Sequence, residues 1–174
     1  AVANQNLHNT GPVDFVIITL PEFKEQAEEL TQIHRDNDGL SVFVTEPQLI
    51  YNEFSCGSKD ATAIRNFMRM LYDKFEGDNK PKYLLLFGDG TYDNKGIKTE
   101  DRNFIPTFQS EQSLKDDKSF VSDDFYGLLD MDEGEYLDDD KLILYGHLDI
   151  GIGRFPAETV EEATKIDVER AKAS

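Results

Sequence analysis

Cysteine is nearly missing from this chain and tryptophan is missing altogether. Cys56 stands alone, which excludes an internal disulfide framework. Basic residues are scarce beside acidic ones, 18 against 35, so the formal charge is −17 at pH 7. A surface this acidic repels phosphate backbones and anionic lipid. It argues against nucleic acid or a membrane surface as partner and favours cations or a basic protein. Long apolar runs are absent too: none approaches the ~18 residues of a membrane span, and the first residues lack the charged and apolar regions of a signal peptide.

What remains is enough for a core. Hydrophobic residues make up 39% of the chain, with twelve Phe, against the composition of a disordered segment. A length of 174 residues suits one domain better than two. Residues 1–12 are polar and Asn-rich and read as an extended lead-in or linker, leaving 13–174 as a single α/β unit.

The run Tyr83-Leu84-Leu85-Leu86-Phe87 ends abruptly on Gly88-Asp89-Gly90. Unbroken apolar residues mean a strand covered on both faces, as in a parallel sheet. Asp14 to Thr19 repeats the pattern. After it, Pro21 opens a helix that carries Phe23, Ala27, Leu30 and His34 at helical steps and ends at Asn37-Asp38-Gly39, where Gly suits a left-handed cap. Leu40 to Thr45 returns as a strand, and Gln48 to Phe54 offers one or two helical turns. Asp60 to Phe75 is the clearest helix, with Ile64, Phe67, Met68, Leu71, Tyr72 and Phe75 in one stripe. The order strand, helix, strand, helix, strand predicts right-handed crossovers of a mainly parallel sheet in a three-layer α/β/α, Rossmann-like unit.

Beyond Gly90 the periodicity stops, and residues up to Arg102 read as a long loop. Phe104-Ile105-Pro106 is a short extended piece. From Asp116 to Asp140 there are eleven acidic residues and one basic, Lys118, yet Ser122-Asp123-Asp124-Phe125-Tyr126-Gly127 carries large apolar groups and reads as ordered. Leu142 to Leu144 and Asp149 to Pro156 are further strand patterns, and Thr159-Val160-Glu161-Glu162 is a capping box. The last helix, from Val160 to Ala173, has no stop signal, so more polypeptide is expected after it.

Functional groups of open parallel sheets gather beyond the carboxyl ends of strands, here Asp89, Thr91, Tyr92 and Asp93. Gly88-Asp89-Gly90-Thr91 has neither phosphate-loop spacing and no helix directly after it, so a nucleotide site is disfavoured. Asp89 reads as either a ligand and loop anchor or a simple turn former. Asp130-Met131-Asp132-Glu133-Gly134-Glu135 has the alternating carboxylates and glycine of a calcium loop, making Asp130 and Asp132 the candidate metal ligands. Lys141 occupies the place of the bidentate Glu of an EF-hand, so a merely solvated acidic loop is the competing reading. Cys56 precedes a helix, but His34 lies on an apolar stripe, His8 in the lead-in and His147 near a strand start. A turn residue is therefore the better reading than a nucleophile. A receiver-like domain is excluded because Thr19-Leu20-Pro21 lacks clustered acids.

In order along the chain, Tyr83-Leu-Leu-Leu-Phe-Gly-Asp-Gly, Ser122-Asp-Asp-Phe-Tyr-Gly and Ile150-Gly-Ile-Gly-Arg-Phe-Pro-Ala-Glu-Thr resemble the gingipain-type cysteine peptidases. Ala27 to Gly39 and Ile50 to Phe75, including Tyr51-Asn-Glu-Phe-Ser and Asp60-Ala-Thr-Ala-Ile-Arg, are similar to one subgroup, the surface sortases of type IX secretion, the PorU type. The resemblance implies a caspase-like domain of two α/β subdomains, with this chain as the first half. The family's catalytic His and Cys belong to the second half, and no Gly-His-Gly or late strand-end Cys occurs here, so no catalytic residue is assigned. It further implies removal of C-terminal sorting signals from cargo at the outer surface of a Gram-negative bacterium. The partners implied are the second catalytic subdomain, type IX secretion components and cargo proteins. On this reading Asp89, Ser122, Asp123 and Asp124 brace the cleft, and no cofactor beyond calcium is called for. The competing reading is a free-standing acidic α/β binding module that takes calcium.

Overall fold

A computed structural model describes residues 5–90, 105–110, 120–138 and 141–171, and their side chains except those of 135–145 and 166–171. The expected loop from Thr91 to Arg102, Phe104 and, of the acidic segment, residues 116–119 and 139–140 lie outside the described residues. The strands are β1 Phe15–Thr19, β2 Val42–Thr45, β3 Tyr83–Phe87, β4 Phe108–Gln109, β5 Val121–Ser122, β6 Gly134–Asp138, β7 Lys141–Tyr145 and β8 Gly151–Phe155. The helices are α1 Lys24–Asn37, α2 Pro47–Phe54, α3 Ala61–Lys74 and α4 Val160–Ala171.

The fold is α/β, built on a four-stranded parallel sheet in the order β2-β1-β3-β8. Ile17 lies between Val44 and Leu85, and Leu85 in turn pairs with Gly153. β1, in the middle of the sheet, is covered on both faces and buried along its whole length, whereas the outer strand β8 is only partly covered. α1 packs with β1, β2 and α4, while α3 packs with α2 and with the one-turn helix Asp124–Gly127, the arrangement right-handed crossovers impose. The apolar stripe of α3 buries Ile64, Phe67, Met68 and Leu71, each contributing roughly 1.5–3 kcal/mol. Asp60 caps α3 by accepting from Thr62 N at 2.8 Å. Gly39 takes φ +66° after α1, a conformation that L side chains rarely adopt.

Four local expectations change. Leu7–Asn9, expected as extended, forms one helical turn, because Leu7 is buried and Glu53 accepts the Leu7 N–H at 2.8 Å. Lys74 Nζ donates to the carbonyls of His8 and Thr10, so this segment is tied to α2 and α3. Pro21–Phe23 is a separate tight turn ahead of α1. Tyr83 is 47% exposed rather than covered, since it stands at the amino end of β3, where Lys82 and Asp14 are paired near solvent. In the capping box, Thr159 Oγ1 accepts from Glu162 N at 3.3 Å, but the Glu162 carboxylate takes the Glu158 N–H at 2.9 Å.

At the amino end of the sheet one carboxylate ties three strands. Asp14 accepts from Lys82 Nζ at 2.7 Å, from Ser41 Oγ at 2.6 Å and from Ser41 N at 2.9 Å. The Lys82 bond and then the Ser41 bonds hold the Asp14 carboxyl down at about 2, against an ordinary 3.8.

Candidate functional site

The chain reverses its direction of winding between β1 and β3, so the crevice beyond their carboxyl ends is where an open α/β sheet places a site. There the Gly88–Gly90 turn leaves β3. Its backbone is fixed on both sides: Gly88 N donates to Phe155 O at 3.0 Å, Asp89 N to Ala157 O at 3.1 Å, and Ile105 N to Asp89 O at 3.1 Å. The Asp89 carboxylate accepts from Gly90 N at 2.8 Å.

Arg154 on β8 organises this end. Its Nε and Nη2 each reach a carboxylate oxygen of Asp123 at 2.7 Å, a bidentate pair. Nη1 donates to Gly88 O and Ile105 O, both at 3.1 Å, and Nη2 also to Pro106 O at 3.3 Å. The five N–H groups of a guanidinium therefore all have acceptors, contributed by three stretches of chain far apart in sequence. The ion pair is largely shielded, with 13% of the Arg154 and 23% of the Asp123 side chain exposed. Gly90 is needed beside it: a Cβ there would lie 2.7 Å from Thr107 Cγ2 and 3.3 Å from Arg154 Cζ. Tyr126, fully buried, donates its hydroxyl to Pro106 O, and burial pushes its ionisation well above the ordinary range.

The four residues expected at the cleft therefore differ in what they touch. Asp123 holds Arg154, and Asp89 works through its backbone and its own turn. Ser122, in β5, accepts from Asp124 N at 3.1 Å through its hydroxyl, and Asp124 opens the turn on the exposed side. Arg154 itself was not singled out from the sequence, although a lone charge inside Gly-Ile-Gly-Arg-Phe was the signal available.

Arg65 of α3 forms a second hub. It donates to Leu128 O at 2.6 Å, Glu133 O at 2.8 Å and Asp130 O at 3.3 Å, holding the turn that carries Asp130 and Asp132. Carboxylates around that turn already accept backbone hydrogen bonds: Glu133 from His147 N at 2.8 Å, Asp149 from Leu129 N at 3.0 Å. Asp130 and Asp132 are exposed. Repulsion, chiefly from Asp149 and then from Glu133 and Asp132, raises the Asp130 carboxyl above its ordinary value. Among the described residues no three His, Cys, Asp or Glu side chains converge as a metal site would require. Cys56 is exposed, with φ +54°, in the turn after α2. His34 Nδ1 meets Asp38 at 2.6 Å and His8 Nδ1 meets Glu53 at 2.7 Å, so the carboxylates beside both rings hold them in local pairs.

Comparison with known proteins bears on this geometry. The family model described as peptidase family C25 matches residues 8–172. Among solved structures, one described as dimeric latent PorU from Porphyromonas gingivalis superposes with a TM-score of 0.80 at 31% identity. The match covers 98% of this chain and 16% of that chain. No curated protein matches. Among the described residues no helix is long and apolar enough to cross a membrane.

Proposed function

This chain belongs to peptidase family C25, and from that premise we propose that it is the scaffold subdomain of a larger cysteine peptidase of the surface-sortase kind. In this reading the catalytic His and Cys come from a second subdomain of the same polypeptide. The whole enzyme removes C-terminal sorting signals from type IX secretion cargo at the bacterial outer surface. The observation that carries the reading is the Arg154 hub, which fixes Gly88, Ile105, Pro106 and Asp123 beyond the strands' carboxyl ends. Such loops, held by a partly shielded ion pair, can form one wall of a cleft while a facing subdomain supplies the nucleophile and base. Asp89, Ser122, Asp123 and Asp124 then brace that wall without touching the scissile bond.

β8 supports the same reading. Among the described residues it is one of the sheet's two edge strands, with β2 the other, so its outer edge is available to a further strand. The test is an assay on sorting-signal peptides. The isolated chain should show no cysteine-dependent cleavage and Cys56→Ala should change nothing, whereas the parent polypeptide should cleave. Robust activity of the isolated chain that disappears with Cys56→Ala contradicts the proposal.

The second reading is an acidic binding module that takes calcium at Asp130 and Asp132. The feature favouring it is the placing of Asp130, Asp132 and Glu133 in one turn, a concentration of negative charge that a cation would relieve. A ligand bound only to the folded state raises the melting temperature. Calcium at ~100 times its dissociation constant would add about 2.7 kcal/mol. No shift in a melt at millimolar calcium removes this reading.

A further inference from the structure

We draw no further inference here: the strongest candidate, the apolar trough of about 750 Å³ between α1 and the β3–β8 half of the sheet, with Gly151 and Gly153 on β8 and His34 and Asp38 on α1's side, carries nothing because nothing in the structure shows what covers it.

Discussion

The two ends of the parallel sheet are each tied by one charged side chain that collects several partners, but they tie different things. At the amino end Asp14 joins the starts of β1, β2 and β3 through Lys82 and Ser41, all beside solvent. At the carboxyl end Arg154 collects a carboxylate and three carbonyls from separate stretches of chain, and the difference in shielding lies in the cation: Arg154 is 13% exposed against 45% for Lys82, while Asp123 at 23% is as open as Asp14 at 20%. Exposed ion pairs contribute little because water screens them, whereas removing one partner of a shielded pair leaves an uncompensated charge. The amino end is therefore a fastening for strands, and the carboxyl end a fixture for loops. In the proposed function it is the second end that would position a facing site.

The contrast breaks most readily at Arg154. Arg154→Met strands Asp123 and takes the guanidinium from the Gly88 and Ile105 carbonyls, while Pro106 O keeps the Tyr126 hydroxyl, and chemical denaturation should show a loss of about 3 kcal/mol. A loss below ~1 kcal/mol, the scale of an exposed pair, would mean that the two ends do not differ as argued. Next comes Arg65→Met. It takes the guanidinium from the Leu128 and Glu133 carbonyls, while Asp130 O keeps the Glu133 N–H, with an expected cost of about 2 kcal/mol in the same measurement. Because Arg65 faces carbonyls rather than a carboxylate, a cost above that of Arg154→Met would overturn the weight given to the Arg154–Asp123 pair.

Gly90→Ala tests crowding at the carboxyl end without removing any charge. The added methyl must displace Thr107 and press on Arg154, for about 1–2 kcal/mol. Unchanged stability would show that the wall around Arg154 yields easily.

Asp14→Asn should be the mildest, at about 1 kcal/mol in thermal melts near neutral pH. Its effect depends on pH in a defined direction. The Asp14 carboxyl is held down at about 2 in the fold, against an ordinary 3.8. Its contribution is therefore present above pH 3.8 and is lost as the pH falls toward 2. The melting difference between wild type and Asp14→Asn should close over that window; a difference that persists at pH 2 contradicts the assignment.

Legibility in the sequence follows the same division. The Ile and Leu runs of β1 and β3 and the stripe of α3 were readable because burial of a whole face imposes a local period, and the family resemblance rested partly on β3 and α3 and partly on the Ser122 and Ile150 stretches. β6 went unread because its Tyr136 and Leu137 sit within acidic neighbours that mask any alternation. Leu7 was lost in a polar lead-in because its partner, Glu53, lies 46 residues away. Of the candidate site, Asp89 and the Ser122–Asp124 cluster stood out by position. Arg154 did not, since it owes its importance to acceptors 31 to 66 residues distant that no local pattern announces.

The most direct measurement compares cleavage by the parent polypeptide carrying Arg154→Met with cleavage by the same polypeptide carrying Asp14→Asn, each assayed well below its own melting temperature. Misplacing a cleft wall by about 1 Å costs on the order of 100-fold in rate, so Arg154→Met should fall by roughly that factor while Asp14→Asn stays within about twofold of wild type. Equal activity in the two variants would contradict the account that the carboxyl end of this sheet positions the cleft.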